Sequence, residues 1–190
     1  MRVRTIIGAL SLWAVVTSAT AAVAPAGYWT SLREATGIRE GRGPVALIIF
    51  FDPNCPYCHH LYGQVQALLH KTPRTVEWIP VGVLTMTSYG KAAALLRARN
   101  KSAALAANER GFAPERGGAI TPRRATVSVK KALAVNEKLL GRGGAMGVPF
   151  VVYRTRDGKT HTITGDPPNA RLRAIWAAYG AKPTIRRAGP

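Results

Sequence analysis

Seven consecutive apolar residues from Val45 to Phe51 run without alternation, the pattern of a strand buried on both faces. Apolar residues then recur at helical spacing at Leu61, Val65 and Leu68, which predicts a helix from about Pro56 to Leu69, stopped by Thr72-Pro73. Thr75 to Leu84 is rich in β-branched and aromatic residues and reads as a second buried strand, bent at Pro80 or Gly82. Ser88 to Arg110 favours helix, with Asn100-Lys101-Ser102 as the junction between two short ones, and the glycines and prolines of Gly111 to Pro122 make a loop. An amphipathic helix over Ser128 to Leu140 ends at Gly141 and feeds a third apolar strand, Val148 to Tyr153. Arg156-Asp157-Gly158-Lys159 is a hairpin turn into Lys159 to Thr164, giving an antiparallel edge pair. Pro167 to Tyr179 closes the pattern as a helix with Leu172, Ile175 and Trp176 inward. Before all of this, Val23 to Pro44 is punctuated by glycine and proline and reads as an arm with one helical turn near Ser31 to Ala35. The predicted fold is α/β: a central mixed sheet with helices on both faces.

Composition agrees with one domain, since 190 residues at 47% hydrophobic content can bury a substantial core. Residues 1–22 change the context. Arg2 and Arg4 precede an apolar stretch from Ile6 to Val16 and small residues ending in Ala21-Ala22, the three-part pattern of a cleavable signal peptide. The apolar run is shorter than the roughly 20 residues that span a bilayer. Export to an oxidising compartment such as the periplasm is therefore expected. Residues 181–190 form a basic tail. The formal charge of +18 comes from Lys and Arg scattered through different elements, with no run that would mark a nucleic-acid arm. A solvated basic surface, attracted to acidic proteins or anionic lipid, is the reading this supports, and no nucleic-acid partner is expected.

Against that background the two cysteines, Cys55 and Cys58, stand where the first strand hands over to a helix. A helix start offers unpaired N–H groups and the positive end of the helix dipole, so Cys55 is the expected thiolate nucleophile. Cys58 follows one turn later, close enough to resolve a mixed disulfide. Pro56 suits the first helical turn, and Tyr57 is expected at the surface to meet a substrate. Asp52 either assists proton transfer at Cys58 or bounds the turn with Pro53, and His59 and His60 either tune the thiolate or are solvated. Rival readings use the same residues. Cys55-Pro56-Tyr57-Cys58-His59 satisfies the haem-attachment pattern Cys-x-x-Cys-His, with Met86, Met146, His70 or His161 as a second axial ligand. The buried strand and mixed sheet argue against a haem-packed helical domain. Zinc would need Cys55, Cys58, His59 and His60 to converge from one crowded helix start. A purely structural disulfide would restrain very little chain across so short a loop.

These residues carry a family resemblance. Phe51-Asp52-Pro53-x-Cys55-Pro56-Tyr57-Cys58, Val81-Gly82-Val83, the Ala-rich segment Ala92 to Leu96, Asn136-Glu137-Lys138-Leu139 and Val148-Pro149 occur in an order that resembles the catalytic domain of the DsbC/DsbG-type periplasmic thiol-disulfide interchange proteins, and within them the DsbG branch. The resemblance covers about Val45 to Ile175. It implies a thioredoxin-like catalytic domain over 45–180, with the helical segment at about 88–109 as an insertion and 23–44 as an N-terminal arm. It also implies a cis-proline loop at Pro149, facing the cysteines, with Val148 presenting backbone groups to a substrate peptide. The expected activity is that of a disulfide isomerase or reductase acting on protein disulfides without a bound cofactor or metal, recycled by a membrane redox partner. The segment before Val45 is shorter than the family's N-terminal dimerisation domain, so a monomer is expected. Where the family tends to have threonine this chain has Val148, a valine as in the oxidase DsbA. A DsbA-like oxidase, and a redox-inert assembly module of an envelope or conjugative system, are the alternatives that remain beside haem.

Overall fold

Both faces of the strand Val45–Phe51 are buried in the computed structural model, which describes residues 21–179. The described chain runs β1 (Ala21–Val23), a helical turn α1 (Tyr28–Ser31) continuing as a 3-10 turn over Leu32–Glu34, β2 (Ile38–Gly41), β3 (Val45–Phe51) and α2 (Pro56–Leu69). It continues with β4 (Thr75–Pro80), α3 (Ser88–Arg97), α4 (Lys101–Arg110), α5 (Val127–Arg142), β5 (Phe150–Arg154), β6 (Thr160–Thr164) and α6 (Asn169–Ala178). The strands form one mixed sheet in the order β1-β6-β5-β3-β4-β2. β3 lies inside it, parallel to β4 and antiparallel to β5.

The unbroken apolar run of β3 follows from this position. Leu47, Ile49 and Phe51 point to the layer holding Leu61 and Val65 of α2 and Leu172 and Trp176 of α6. Ile48 and Phe50 point to the opposite layer, with Tyr28 of α1 and Leu139 and Leu140 of α5. Each such side chain contributes about 1.5–3 kcal/mol by leaving water. A small cluster of Ala92, Ala93, Leu96, Ala125 and Leu133 fastens α3 to α5. The side chain of Asn100 caps α4 by accepting from the Ala103 N–H at 3.0 Å.

Four sequence expectations change. The strand predicted over Thr75 to Leu84 ends at Pro80, because the chain beyond it turns out of the sheet, where the Val83 and Leu84 N–H groups bond a side chain of the β3–α2 turn. The strand predicted from Val148 begins at Phe150. The β5–β6 hairpin is not an edge pair: β5 is flanked by β3, and β6 is covered by β1 in antiparallel register, with Ala22 opposite Thr162. The predicted arm is part of the fold, supplying the edge strand β2, the last residue of the edge strand β1 and the fully buried Tyr28. Of the predicted signal segment only Ala21 and Ala22 fall within the described residues, in β1; the basic tail 181–190 lies outside them.

Tyr28 ties this N-terminal segment to the core, its hydroxyl donating to the Leu139 carbonyl at 2.9 Å. Tyr28→Phe removes this bond and leaves that carbonyl with the Gly143 N–H alone, which is expected to cost about 1 kcal/mol. Urea unfolding of the two proteins measures it.

Candidate active site

β3 ends at Phe51 and the turn Asp52–Asn54 delivers Cys55 to the start of α2. Cys55 is the residue that caps the helix: its backbone is extended and its sulfur accepts the Cys58 N–H at 3.3 Å. Pro56 occupies the first helical turn, where no N–H is needed. The Cys55 sulfur also lies 3.6 Å from the Val148 carbonyl, to which its thiol donates, and the Val148-Pro149 peptide is cis. Residues 93 positions apart are thus brought to one sulfur atom.

The two cysteines are free, and their environments drive them apart. The hydrogen bond with the Cys58 side chain lowers the Cys55 pKa, helped by the N–H groups of Cys58 and Tyr57, against burial and the Asp52 charge. Burial raises the Cys58 thiol well above the ordinary range, reinforced by its hydrogen bond to Cys55 and by the Cys55 and Asp52 charges. One thiol is thus biased toward the thiolate and the other toward keeping its proton. Tyr57, 67% exposed, stands beside them on the wall of a groove of about 910 Å³ shared with Val23, Arg142, Met146, Thr162 and Asp166.

Asp52 is 1% exposed, and each carboxylate oxygen accepts two hydrogen bonds. Oδ1 takes the Asn54 N–H at 2.9 Å and the Ser88 hydroxyl at 2.7 Å; Oδ2 takes the N–H groups of Val83 at 2.8 Å and Leu84 at 3.0 Å. With four donors in place its evident work is to hold the turn, while its charge acts on both thiols. His59 is engaged elsewhere: its Nδ1 meets Glu109 Oε2 at 2.9 Å and its ring stacks on Phe112. Burial raises the Glu109 pKa, against the hydrogen bonds from His59 and Asn108. His60 pairs with Asp166.

The residues of the rival readings are not gathered. His59 and His60 face different acidic partners. His70 caps the far end of α2, about 20 Å along the helix from Cys55, and His161 stacks on Tyr153. Met86 and Met146 are fully or almost fully exposed. Among the described residues no group of three or more His, Cys, Asp or Glu side chains is placed to hold a metal ion.

Sequence reasoning missed the groups behind the turn. The Asn54 side-chain amide donates to the hydroxyls of Thr85 at 2.7 Å and Thr87 at 2.9 Å. Gly117, at φ +70°, and Gly118 press against the turn: the Gly118 N–H bonds the Pro53 carbonyl at 3.0 Å, and a Cβ at Gly117 would collide with Asn54. The lone charge of Lys91 in the run Tyr89–Leu96 does not say which partners it reaches.

Residues 32–180 match the family model described as a thioredoxin-like domain. The chain is 29% identical over 152 residues to the thiol:disulfide interchange protein DsbG of Pseudomonas aeruginosa, covering 77% of this chain and 57% of that protein. It is 26% identical over 159 residues to DsbG of Escherichia coli, covering 80% and 62%. The chain therefore spans about three fifths of the length of these relatives. Among solved structures, a periplasmic thioredoxin-like protein of Salmonella enterica serovar Typhimurium superposes with a TM-score of 0.64 at 22% identity, over 80% of this chain and 95% of that one. The catalytic domain of Proteus mirabilis ScsC gives 0.63 at 20% identity, over 79% and 95%.

Proposed function

The chain belongs to the thioredoxin-like domain family, and on that premise we propose that it is an exported thiol-disulfide oxidoreductase, a disulfide isomerase or reductase acting on protein disulfides through Cys55 and Cys58. The observation that carries this is the asymmetry of the pair: both are buried, but one sulfur caps a helix start and faces the Val148 carbonyl with its pKa lowered, while the pKa of the other is raised.

The Cys55 thiolate attacks one sulfur of a substrate disulfide, forming a Cys55–substrate disulfide and expelling the second substrate sulfur as a thiolate, which takes a proton from solvent. In reduction, Cys58 loses its proton and attacks Cys55 Sγ. The substrate leaves as a dithiol, two electrons richer, and Cys55–Cys58 becomes the disulfide. In isomerisation a substrate thiol attacks the mixed disulfide instead, and the pair emerges reduced. Tyr57, Pro56, Val148 and Pro149 border the sulfur and are the surfaces a substrate peptide meets. The periplasm is the compartment this chemistry fits, with a membrane redox partner recycling the pair and the protein acting as a monomer.

Equilibration with reduced and oxidised glutathione tests the proposal, with the pH dependence of Cys55 alkylation beside it. Because the Cys55 pKa is lowered, its thiolate fraction rises at lower pH than that of an ordinary thiol of about 8.5, and the alkylation midpoint is expected below that of an ordinary thiol. A pair that exchanges with glutathione through one early-titrating thiol supports the reading. Two inert thiols, or two that titrate together near 8.5, contradict it.

A further inference from the structure

Lys91 lies in the buried face of α3 and is 6% exposed. Its ammonium donates to Asn54 Oδ1 at 2.6 Å and to the carbonyls of Arg116 and Gly118, each at 2.7 Å. All three hydrogens are used, and all three acceptors are neutral. Among the described residues no carboxylate lies within ion-pairing distance of it. A buried cation held only by dipoles is costly to keep, and removing its charge would spare the fold that cost. Burial, then Arg116, lowers its pKa, while the Asp52 charge raises it, so the ammonium and the Asp52 carboxylate act on each other.

The contacts of Lys91 lead to the cysteine pair. It fixes the oxygen of the Asn54 amide, so that the amide nitrogen meets Thr85, Thr87 and Ser88; the Ser88 hydroxyl in turn bonds Asp52. Asn54 immediately precedes Cys55. The two carbonyls Lys91 holds belong to the loop after α4, which packs on Pro53 and Asn54. The charged groups around this turn are Asp52 itself, Lys91 from α3, Arg116 from the loop, and the His59–Glu109 pair from α2 and α4.

We propose that Lys91 is a positioning residue for thiol-disulfide exchange: it locks Asn54 beneath Cys55 and supplies the positive charge that balances Asp52 there. The inference rests on the reading of Cys55 as the nucleophile. Asp52 disfavours thiolates at both cysteines, and the Lys91 ammonium, which interacts with that carboxylate, offsets part of its charge.

The test is K91M beside K91Q, which keeps hydrogen-bond donors but loses the charge. In both, the Cys55 alkylation midpoint is expected to move up by about one pH unit, and the glutathione equilibrium about tenfold toward the Cys55–Cys58 disulfide, since a less stable thiolate makes the pair more reducing. A role in packing alone would move stability and leave both readouts in place. Folded K91M and K91Q with the wild-type midpoint overturn the proposal, as does K91Q restoring it in full. Should neither fold, Asn54→Ala, which cuts the link while leaving Lys91 on its two carbonyls, must shift the midpoint in the same direction; no shift overturns it. If wild-type Cys55 shows no early titration, the reading of the cysteine pair fails instead, and the two failures are told apart.

Discussion

Cys55→Ser is expected to lower thiol-disulfide exchange by on the order of a thousandfold or more while leaving the fold intact. Serine is a good helix-capping residue, and its oxygen can accept the Cys58 N–H that the Cys55 sulfur now accepts. What disappears is the thiolate, since a serine hydroxyl has no comparable tendency to ionise at neutral pH. Cys58 cannot take its place, because burial holds its thiol protonated. Reductive cleavage of insulin, followed by turbidity, and reaction with a small aromatic disulfide read the loss. Retention of even a tenth of the wild-type rate would mean that another group attacks.

The second large effect falls on Asp52. Asp52→Ala removes the acceptor of four hydrogen bonds and leaves the Asn54 N–H and the Ser88 hydroxyl buried without it. Hydrogen bonds to a charged group contribute about 1.5–3 kcal/mol each, and the Val83 and Leu84 N–H groups lie near enough to the surface to recover water. The expected loss is therefore about 3–5 kcal/mol, measured by urea unfolding of the reduced protein. Asp52→Asn is milder in shape and separates the charge from the packing. Because the carboxylate raises the pKa of both thiols, its neutral replacement is expected to lower both, so that alkylation of Cys55 reaches its plateau at a lower pH than in the wild type. That direction is opposite to the one expected for K91M, and the pair of variants distinguishes charge balance from general disruption of the turn.

The elements that position Cys55 were legible because their signals are local. β3 carries its buried state in seven successive residues, and α2 shows its inward stripe at Leu61, Val65 and Leu68. β1 and β2, of three and four residues, are too short for a period to register; glycine and proline near β2 suggested an arm, and Ala21-Ala22 of β1 read as the end of a signal segment. The end of β4 was hidden for a different reason: the groups that take the chain out of the sheet are the carboxylate oxygens of Asp52, about thirty residues earlier. The cysteine pair and its helix start followed from spacing and chemistry, whereas the meeting of Val148 with Cys55 was expected from family resemblance alone. Lys91, Glu109 and the glycine pair 117–118 had no such signal. Each acts on a partner tens of residues away, and nothing in a stretch such as Tyr89–Leu96 says which oxygen a lysine will reach.

The central claim is that Cys55 forms the covalent bond to substrate and Cys58 releases it. Cys58→Ser, mixed with a disulfide-bearing polypeptide, quenched in acid and digested, places that bond directly by mass spectrometry. The expected result is an accumulating mixed disulfide whose bond to this chain is at Cys55. A variant that turns over at the wild-type rate with no trapped species would contradict it.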